Sequence, residues 1–593
     1  MPTNTPPPAR LALSLICWAA AASAAIQPSL LFSDNMVLVS SATLNANIFG
    51  TAAPFEPVAL NDSRPGSTRR LATADASGRW LISLAPHVRE KGESSFTLTL
   101  SGGGEGGGPS HVATNVAYGD VLLCSGQSNM ALSLFKVYNW TDTIKPASNR
   151  PEIRLFYVHQ EGSDTPRQHL LGSPSWQPST PAAAVGFSAV CYLTALELQR
   201  LHHDGDDDAV YGLIESAVGS TDVQSWMAKE ARATALNTCW TPSNATVLPP
   251  SGSHAPGNWT VASQLWNAMI APLTSFGVSV VLWDQGENNA KYCTESEYNC
   301  LFTSMVAHWR QQFRQPRLPF AWVQIGGYAS DPYDQGGARQ NSVIRFAQGD
   351  SLPALSDQNF NNRSSTTAAA AGSPAAAAVP RYALPAPAAM TQTFDLGSPV
   401  LGKEDNCRAH PGEAVCWWIH CRNKTEVARR LAHQLAHVWT ASGGAPIANA
   451  TEWSGPVVTQ TTLKVALGQP YAVVSFGHAK GLVLRGAQRC FHCCNQTSPP
   501  LGQVGHGEYL FEVANRRGMW LPAVGELLDP ALGTVKVTPT SPVPCAAPAS
   551  CWLTAVRYAV LDVPQCALYN EAEFPAGQFE LPVPWTAPAS STY

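Results

Sequence analysis

The stretch GDVLLCSGQSNM, residues 119–130, is a short apolar strand followed by small and polar residues. The run 121–124 suits a buried strand of a parallel sheet, which is apolar on both faces. The small residues that follow break the strand, and Gly126 has access to backbone conformations that are closed to other residues. The stretch therefore predicts a parallel sheet with Ser128 just beyond the carboxyl end of one strand.

A hydroxyl at the position of Ser128 lies above the edge of the sheet, near the free N–H groups of a helix N-terminus. This placement suits a serine nucleophile, because its tetrahedral intermediate carries negative charge. The alternative is that Ser128 only caps a helix, a role that serine often takes. The motif by itself leaves both interpretations open.

Three later stretches favour the nucleophile. Residues 212–226 (GLIESAVGSTDVQSW) repeat the pattern of a strand followed by a turn of small residues. Residues 280–289 (VVLWDQGENN) do so again, and residues 418–424 (WIHCRNK) place a histidine before a helical run. With the first stretch they supply a nucleophile, two further oxyanion donors and a base, in chain order: Ser128, Gly219, Asn289 and His420.

This order resembles the SGNH hydrolase superfamily, and within it the sequence is similar to the sialate O-acetylesterase family. Six blocks carry the resemblance: GDVLLCSGQSNM, GLIESAVGSTDVQSW, LWNAMIAPL, LWDQGENNA, IHCRNKTEVARRL and VRYAVLDVPQCALYN. The resemblance implies an α/β fold, an SGNH-hydrolase-type parallel sheet with helices on both faces, flanked by N- and C-terminal β domains. Strands that alternate with helical stretches between Tyr118 and Thr440 agree with this class.

The resemblance assigns a role to each of the four residues. Ser128 is the nucleophile, and His420 is the base. The backbone N–H groups of Ser128 and Gly219 and the side-chain amide of Asn289 hold the oxyanion, and losing one such donor costs on the order of 3 kcal/mol. The chain departs from the family at Ser220, where a second glycine is usual, and the added Cβ is expected to crowd the turn.

The acidic partner of His420 is less clearly marked. Many superfamily members carry an aspartate three residues before the histidine, and here that residue is Trp417. Asp395, in the segment TFDLG, is the nearest upstream match and is our choice for the acid that orients the imidazole. A backbone carbonyl at position 417 is one alternative, and three carboxylates between the two residues are others: Glu404, Asp405 and Glu413.

Five residues are candidates for substrate contacts: Gln127, Gln285, Glu287, Trp226 and Arg345. Trp226 and Arg345 are chosen by resemblance only. Gln285 and Glu287 flank the Asn289 loop, and holding that loop is the role we favour for them over binding substrate hydroxyls. The mechanism needs no metal or cofactor, and no spacing of histidines and carboxylates indicates a metal site.

Composition narrows the class of protein. The chain has 593 residues, too many for one core, and 45% hydrophobic residues, enough for globular domains. Its formal net charge of -5 provides no electrostatic basis for binding nucleic acid or an acidic membrane. No stretch after the N-terminal leader approaches the ~20 apolar residues of a membrane-spanning helix.

The N-terminal segment 1–25 predicts a signal peptide, with an apolar run after Arg10 and a cleavage site near Ala25. Outside this segment the number of cysteines is even, which fits disulfides in a secretory protein without defining their pairing. Asn-x-Ser/Thr sequons predict N-glycans at several positions, although we expect Asn423, beside His420, to be unused. The sequons begin at Asn61, Asn139, Asn244, Asn258, Asn362, Asn423, Asn449 and Asn495.

The changing pattern along the chain predicts three domains after the leader. Short strands between turns predict an N-terminal β-sandwich at 26–117. The catalytic domain is expected at 118–440, with a disordered, low-complexity insertion at 363–390 that is rich in Ala, Ser and Pro. A β pattern returns in the C-terminal domain, 449–593.

The sequence therefore predicts a serine esterase that removes O-acetyl groups from sialic acids through an acyl-enzyme, in the secretory pathway as a secreted or lysosomal protein. One alternative is an acetylesterase for other carbohydrates such as acetylated polysaccharide, because a fold does not define a substrate. A second alternative is a glycan-binding glycoprotein with an inactive hydrolase core, based on the departures at Ser220 and Trp417.

Overall fold

The computed structural model of the chain describes residues 26–102, 110–201, 208–239, 262–291, 293, 295–328, 340–352, 382–401, 415–441, 452–466, 468–486, 503–504, 508–543, 553–561 and 566–584. The predicted signal peptide lies outside the described residues. So do most of the predicted insertion and the three alternative acids: Glu404, Asp405 and Glu413.

The described chain opens with strands: β1 (Gln27–Pro28), β2 (Val37–Val39), β3 (Ala46–Thr51), β4 (Pro57–Asp62), β5 (Arg70–Thr73), β6 (Arg79–Leu84), β7 (Phe96–Gly102) and β8 (His111–Gly126). Strands β1, β3 and β6 form one antiparallel sheet, while β4 pairs with β5 and β7. Alternate residues of β3 and β7 are buried, and Ile48 and Leu98 belong to one core. Two sheets therefore pack face to face in this region.

The central sheet adds six strands: β9 (Arg150–Tyr157), β10 (Gln177–Ser179), β11 (Tyr211–Ala217), β12 (Val280–Asp284), β13 (Phe320–Val323) and β14 (Ala388–Thr391). The order across the sheet is β10-β9-β11-β8-β12-β13-β14. The pairs from β9 to β14 are parallel, and β10 is antiparallel to β9. Ligand sites of such sheets lie beyond the carboxyl ends of the strands.

Strand β8 is 16 residues long and connects the two regions. Its first part pairs with β7 and β2, and its second part, from Asp120 to Gly126, pairs with β11. The predicted domain boundary at residue 118 lies inside this strand. Backbone hydrogen bonding therefore continues from the N-terminal strands into the central sheet.

The α-helices are α1 (Lys145–Ala147), α2 (Pro181–Ala184), α3 (Ala189–Leu201), α4 (Lys229–Cys239), α5 (Glu295–Gln312), α6 (Gln340–Asp350) and α7 (Lys424–Ala441). Short 3-10 or π segments occur at Leu134–Lys136, Trp140–Ile144, Val223–Trp226, Trp266–Ile270, Ala271–Leu273, Asn289–Lys291 and Phe394–Leu396. Across the described segments, none of the helices combines the length and the apolar character that a membrane span requires.

Helices cover both faces of the central sheet. Val121 and Leu123 of β8 share a core with residues of α5, whereas Leu122 and Cys124 share a second core with residues of α3 and α7. Successive residues of a strand point to opposite faces, so an uninterrupted apolar run is what a sheet covered on both faces requires.

A disulfide joins Cys124 on β8 to Cys191 on α3 across 67 residues of sequence. Both cysteines are fully buried. A cross-link of this kind stabilises a fold by about 2–4 kcal/mol. It anchors the strand that leads to Ser128 onto the helix packed beneath it.

The predicted disordered insertion, 363–390, is wrong at its C-terminal end. Residues 388–390 belong to β14, which is hydrogen-bonded to β13 and fully buried along its length. The Ala-Ala-Met sequence has the composition of the preceding low-complexity run. Its strand conformation is stabilised by hydrogen bonds to β13, because the edge of a sheet has unpaired backbone groups that a small, apolar segment is able to bond.

The remaining strands are β15 (Ser398–Leu401), β16 (Val415–Trp418), β17 (Val457–Ala466), β18 (Gln469–Gly477), β19 (Val483–Gly486), β20 (Gln503–Val504), β21 (Glu508–Tyr509), β22 (Phe511–Asn515), β23 (Trp520–Asp529), β24 (Thr534–Pro539), β25 (Leu553–Tyr558), β26 (Cys566–Tyr569) and β27 (Phe579–Pro582). An antiparallel sheet of order β17-β18-β24-β23-β22-β25-β27 dominates this region. Strands β15 and β16 pair with each other, and β16 leads directly to His420.

Candidate active site

Three neighbouring strands end at the same level of the central sheet. Gly126 at the end of β8 is in register with Ala217 of β11 and with Asp284 of β12. The loops that follow carry Ser128, Gly219 and the segment 285–289. The parallel register therefore brings together three of the four sequence stretches that were predicted to form the site.

The turn after β8 presents Ser128 at a half-buried position. Gly126 has φ +138°, and a Cβ at this residue would lie 2.2 Å from the Asp284 carbonyl oxygen, so only glycine fits. A single hydrogen bond from the Ala131 N–H to the Gln127 carbonyl closes one turn around Ser128 (2.9 Å). Turns and the 3-10 segment Leu134–Lys136 follow it, not the expected α-helix.

Gly219 lies against the candidate nucleophile. A Cβ built on Gly219 would be 3.4 Å from the Cβ of Ser128. Within the described ranges, the N–H groups of Ser128 and Gly219 have no backbone acceptor. The next residue, Ser220, has φ +58°, so the departure from glycine puts a side chain in the left-handed region.

The structure gives Asn289 other partners than the predicted oxyanion. The side chain is fully buried, and its nitrogen donates to Gln224 Oε1 (3.0 Å). Its oxygen accepts from the Val223 N–H (3.0 Å) and from Gln285 Nε2 (2.7 Å). The amide therefore holds the β12 loop to the loop after β11, because both of its polar ends are engaged there.

A hydrogen bond to the residue before His420 links the histidine segment to the turn that carries Ser128. The Asn129 amide nitrogen, next to Ser128, donates to the carbonyl of Ile419 (3.1 Å), the residue before the histidine. Burial, aided by the charges of Lys424 and Lys136, lowers the pKa of His420 to about 4. The imidazole is therefore neutral at ordinary pH and able to accept a proton.

Asp395 is not placed as the predicted partner of His420. Both of its oxygens accept from the Arg430 guanidinium, at 2.7 Å each, and Oδ2 also accepts from the Tyr569 hydroxyl at 2.7 Å. Arg430 further donates to Glu426 (2.8 Å). We call these four residues the anchor cluster: Asp395, Glu426, Arg430 and Tyr569. The Asp395 carboxylate connects α7 to the C-terminal strands through these hydrogen bonds.

A second buried group includes Asn129, which follows Ser128, and Lys424, which follows His420 by four residues. We call it the site cluster: Asn129, Asp284, Glu287 and Lys424. Asn129 donates to Glu287 Oε1 (2.5 Å) and accepts from Lys424 Nζ (2.8 Å). Lys424 Nζ is also 3.6 Å from Asp284 Oδ2. Burial raises the pKa of Asp284, and burial together with the Asp284 charge raises the pKa of Glu287 to about 7.

Sequence reasoning missed this role of Asn129 and Lys424. Both residues stood in the quoted motifs, directly after the nucleophile and four residues after the histidine. A polar side chain beside each reactive residue was the available signal. Their pairing joins residues 295 positions apart, which no local pattern reveals.

The five predicted substrate contacts are buried and do not line an open site. Gln127, Gln285, Glu287, Trp226 and Arg345 are each no more than 2% exposed. Gln127 Oε1 accepts from the Asn288 N–H (3.3 Å), and Arg345 donates to the carbonyl of Leu561 (2.7 Å). Trp226 Nε1 donates to Thr221 (3.0 Å). Gln285 donates to Asn289 Oδ1 (2.7 Å) and Glu287 accepts from Asn129 (2.5 Å), so both engage the loops of the site.

In the described part of the chain, no three His, Cys, Asp or Glu side chains come together in a way that would hold a metal ion. The polar groups predicted to react at the carboxyl end of the sheet include a serine hydroxyl, backbone N–H groups and a neutral imidazole. This set is suited to nucleophilic attack on an acyl carbon.

Comparison with known proteins agrees with this chemistry. Residues 118–368 match the model of a family described as carbohydrate esterase, sialic acid-specific acetylesterase. A solved structure of a carbohydrate acetylesterase from Xanthomonas citri aligns over 94% of this chain and 99% of its own, with a TM-score of 0.65 and 24% identity. The two proteins share a fold, and residues 118–368 of this chain are similar to the carbohydrate esterase family.

The curated relatives that match the chain are sialate O-acetylesterases. The chain is 30% identical to sialate O-acetylesterase of Homo sapiens over 249 residues, and 28% identical to that of Pongo abelii over 328 residues. These matches cover 40% and 51% of this chain. The chain spans about half the length of these relatives, 44% and 56%. Its predicted resemblance to the sialate O-acetylesterase family is confirmed.

Proposed function

We propose that the chain is a serine esterase that removes O-acetyl groups from sialic acids through an acyl-enzyme. One observation carries the proposal: Ser128 stands beside Gly219 at the end of β8, and its neighbour Asn129 is bonded to the residue before His420. These two contacts support a nucleophile, an oxyanion donor and a base at the carboxyl end of the sheet. The family match and the curated relatives support the substrate class.

In the proposed first step, His420 accepts the proton of the Ser128 hydroxyl while Oγ attacks the acetyl carbonyl carbon. The negative charge that develops on the carbonyl oxygen faces the N–H groups of Ser128 and Gly219. The C–O bond to the sugar then breaks, and the imidazolium returns its proton to the sugar oxygen.

In the second step, water gives a proton to His420 and attacks the acetyl-serine. Acetate leaves, and Ser128 recovers its proton. Asp395 is not the orienting acid in this proposal, because its oxygens accept hydrogen bonds from Arg430 and Tyr569. The carbonyl at position 417 and the carboxylates Glu404, Asp405 and Glu413 remain the candidates for that role.

The test is acetate release from an O-acetylated sialic acid by the wild-type chain and by Ser128→Ala. The variant is expected to lose activity by a factor on the order of 10⁴ or more, because no other group supplies the attacking oxygen. Ser133→Ala, in the same loop, is the matched control and is expected to retain activity. Full activity of Ser128→Ala would exclude the proposal.

Two further measurements separate the alternatives. Competition with acetylated xylan distinguishes an esterase for sialic acids from one for neutral polysaccharides. Labelling of Ser128 by a fluorophosphonate probe, absent in Ser128→Ala, distinguishes an active hydrolase from an inert glycan-binding protein. Both experiments use the full chain.

We also propose that the protein passes through the secretory pathway and is secreted or lysosomal, with N-linked glycans. The buried Cys124–Cys191 disulfide supports this, because disulfides persist in oxidising compartments. The predicted leader and the sequons are consistent with it. A shift in mass of the expressed protein after endoglycosidase treatment tests the glycans.

A further inference from the structure

The proposed substrate carries a carboxylate, but the residues first chosen to hold the sugar are buried. Other groups at the carboxyl end of the sheet must therefore recognise the anionic part of the molecule. Two basic residues follow the proposed catalytic residues closely in sequence. Lys136 follows Ser128 by eight positions, and Arg422 follows His420 by two.

Backbone contacts hold the two basic residues together. The Arg422 guanidinium Nε donates to the carbonyl of Lys136 (2.9 Å). The Tyr138 N–H donates to the carbonyl of Arg422 (3.1 Å). The segment after the nucleophile and the segment after the base are thus hydrogen-bonded in both directions, and each carries one basic side chain.

The side chain of Lys136 is exposed, and that of Arg422 is half-buried. Within the described ranges, no carboxylate lies at ion-pair distance from Lys136. Its positive charge nevertheless reaches the site, since it contributes to lowering the pKa of His420. A cation in this position attracts an anionic substrate to the imidazole that acts on it.

Aromatic rings accompany the two cations. Phe135 is 50% exposed, and Lys136 Nζ lies 5.7 Å from the centre of its ring. The Arg422 guanidinium lies 5.1 Å from the centre of the Tyr138 ring, which restrains it. Positive charge beside exposed aromatic surface matches a sugar that has a carboxylate and apolar substituents.

We propose that Lys136, assisted by Arg422, binds the carboxylate of the acetylated sugar and makes the site selective for sialic acids over neutral acetylated sugars. The guanidinium is suited to a carboxylate because it donates in a planar fork, and the ammonium of Lys136 adds an adaptable point charge. This inference rests on the function proposed above.

The test compares kcat/KM for an O-acetylated sialic acid with kcat/KM for the methyl ester of the same compound, which lacks the charge. The wild type is expected to prefer the free acid by about tenfold or more. Lys136→Gln is expected to lower this ratio about tenfold, mainly through KM. Lys464→Gln, which removes one exposed charge from β17, is the matched control and should keep the wild-type ratio.

A second readout is the ionic-strength dependence of KM. The KM of the wild type for the free acid is expected to rise with salt, and that of Lys136→Gln to rise less, because salt screens the removed charge. An unchanged acid-to-ester ratio in both Lys136→Gln and Arg422→Gln, with loss of all hydrolysis in Ser128→Ala, would overturn this inference alone. Retained hydrolysis in Ser128→Ala would overturn the proposed function on which this inference rests.

Discussion

The anchor cluster and the site cluster both bury carboxylates against a cation of helix α7, but their hydrogen bonding differs. In the anchor cluster, Arg430 bonds both oxygens of Asp395, and Tyr569 adds a third bond. Arg430 is fully buried, and the surrounding carboxylates raise its pKa despite the burial. Burial of these charges is tolerated because each of them is paired and hydrogen-bonded.

In the site cluster, two buried carboxylate oxygens, Asp284 Oδ2 and Glu287 Oε2, have no hydrogen-bond donor within the described ranges. Lys424 is too far from Asp284 Oδ2 for a hydrogen bond, at 3.6 Å. Buried polar atoms without partners are costly, so they persist mainly where another requirement maintains them. The comparison indicates that the anchor cluster serves stability, whereas the site cluster positions the turns of Ser128 and His420.

The largest expected effect is that of Asp395→Asn. Removing one charge of a buried pair should lower the free energy of unfolding by about 3–5 kcal/mol, because Arg430 loses its bidentate partner. At temperatures where the variant is folded, kcat should stay within a few-fold of the wild type. Urea unfolding and kcat are measured together.

Glu526→Gln, which removes one charge from an exposed pair with Lys536, is the control and should unfold near the wild-type midpoint. If Asp395→Asn instead unfolds like the wild type and loses most of kcat, Asp395 would be the acid of a catalytic triad. In that case the difference between the clusters would disappear.

A smaller effect is expected for Glu287→Gln, and it depends on pH. The folded-state pKa of about 7 lies above the ordinary value of 4.5, so the folded chain holds the proton more strongly. The contribution of Glu287 to stability is complete below about pH 4.5 and is lost as pH rises through about 7. Glutamine stays neutral, so the free energy of unfolding of the variant should exceed that of the wild type at pH 8 by about 3 kcal/mol.

Unfolding free energies at pH 5 and pH 8 measure this difference. The variant should resemble the wild type at pH 5, where both side chains are mostly neutral. Glu526→Gln should keep the wild-type dependence on pH. An unchanged slope in Glu287→Gln would mean that the site cluster does not hold its carboxyl group in the protonated form.

The smallest effect concerns backbone strain in the turn after Gly219. Ser220 has φ +58°, and a left-handed conformation costs a residue other than glycine about 1–2 kcal/mol. Ser220→Gly should raise the free energy of unfolding by about 0.5–1 kcal/mol, part of the gain being offset by the more flexible unfolded chain. Thermal melting measures it, with kcat/KM as the second readout.

Ser175→Gly is the matched control. Ser175 is exposed and is not among the residues with positive φ, so glycine should lower the melting temperature there. A loss of stability in Ser220→Gly equal to that of the control would show that the turn beside Gly219 is unstrained.

Local patterns in the sequence were sufficient to predict the buried strands of the central sheet and the turn of small residues before Ser128. An apolar run followed by small residues marks β8 and its turn, because a strand covered on both faces excludes polar side chains. The helical run predicted after His420 is α7. These features depend on residues that are close in sequence.

Only the tertiary structure decided which polar groups meet. Asn129 and Ile419 are hydrogen-bonded although they are 290 positions apart. Asp395 pairs with Arg430 and not with His420 because of how the distant elements pack, which the sequence spacing does not reveal. The same holds for Cys124 with Cys191 and for the burial of the expected substrate contacts. Periodicity reports which side of an element is buried, but the partner of a buried charge is determined by how distant elements pack.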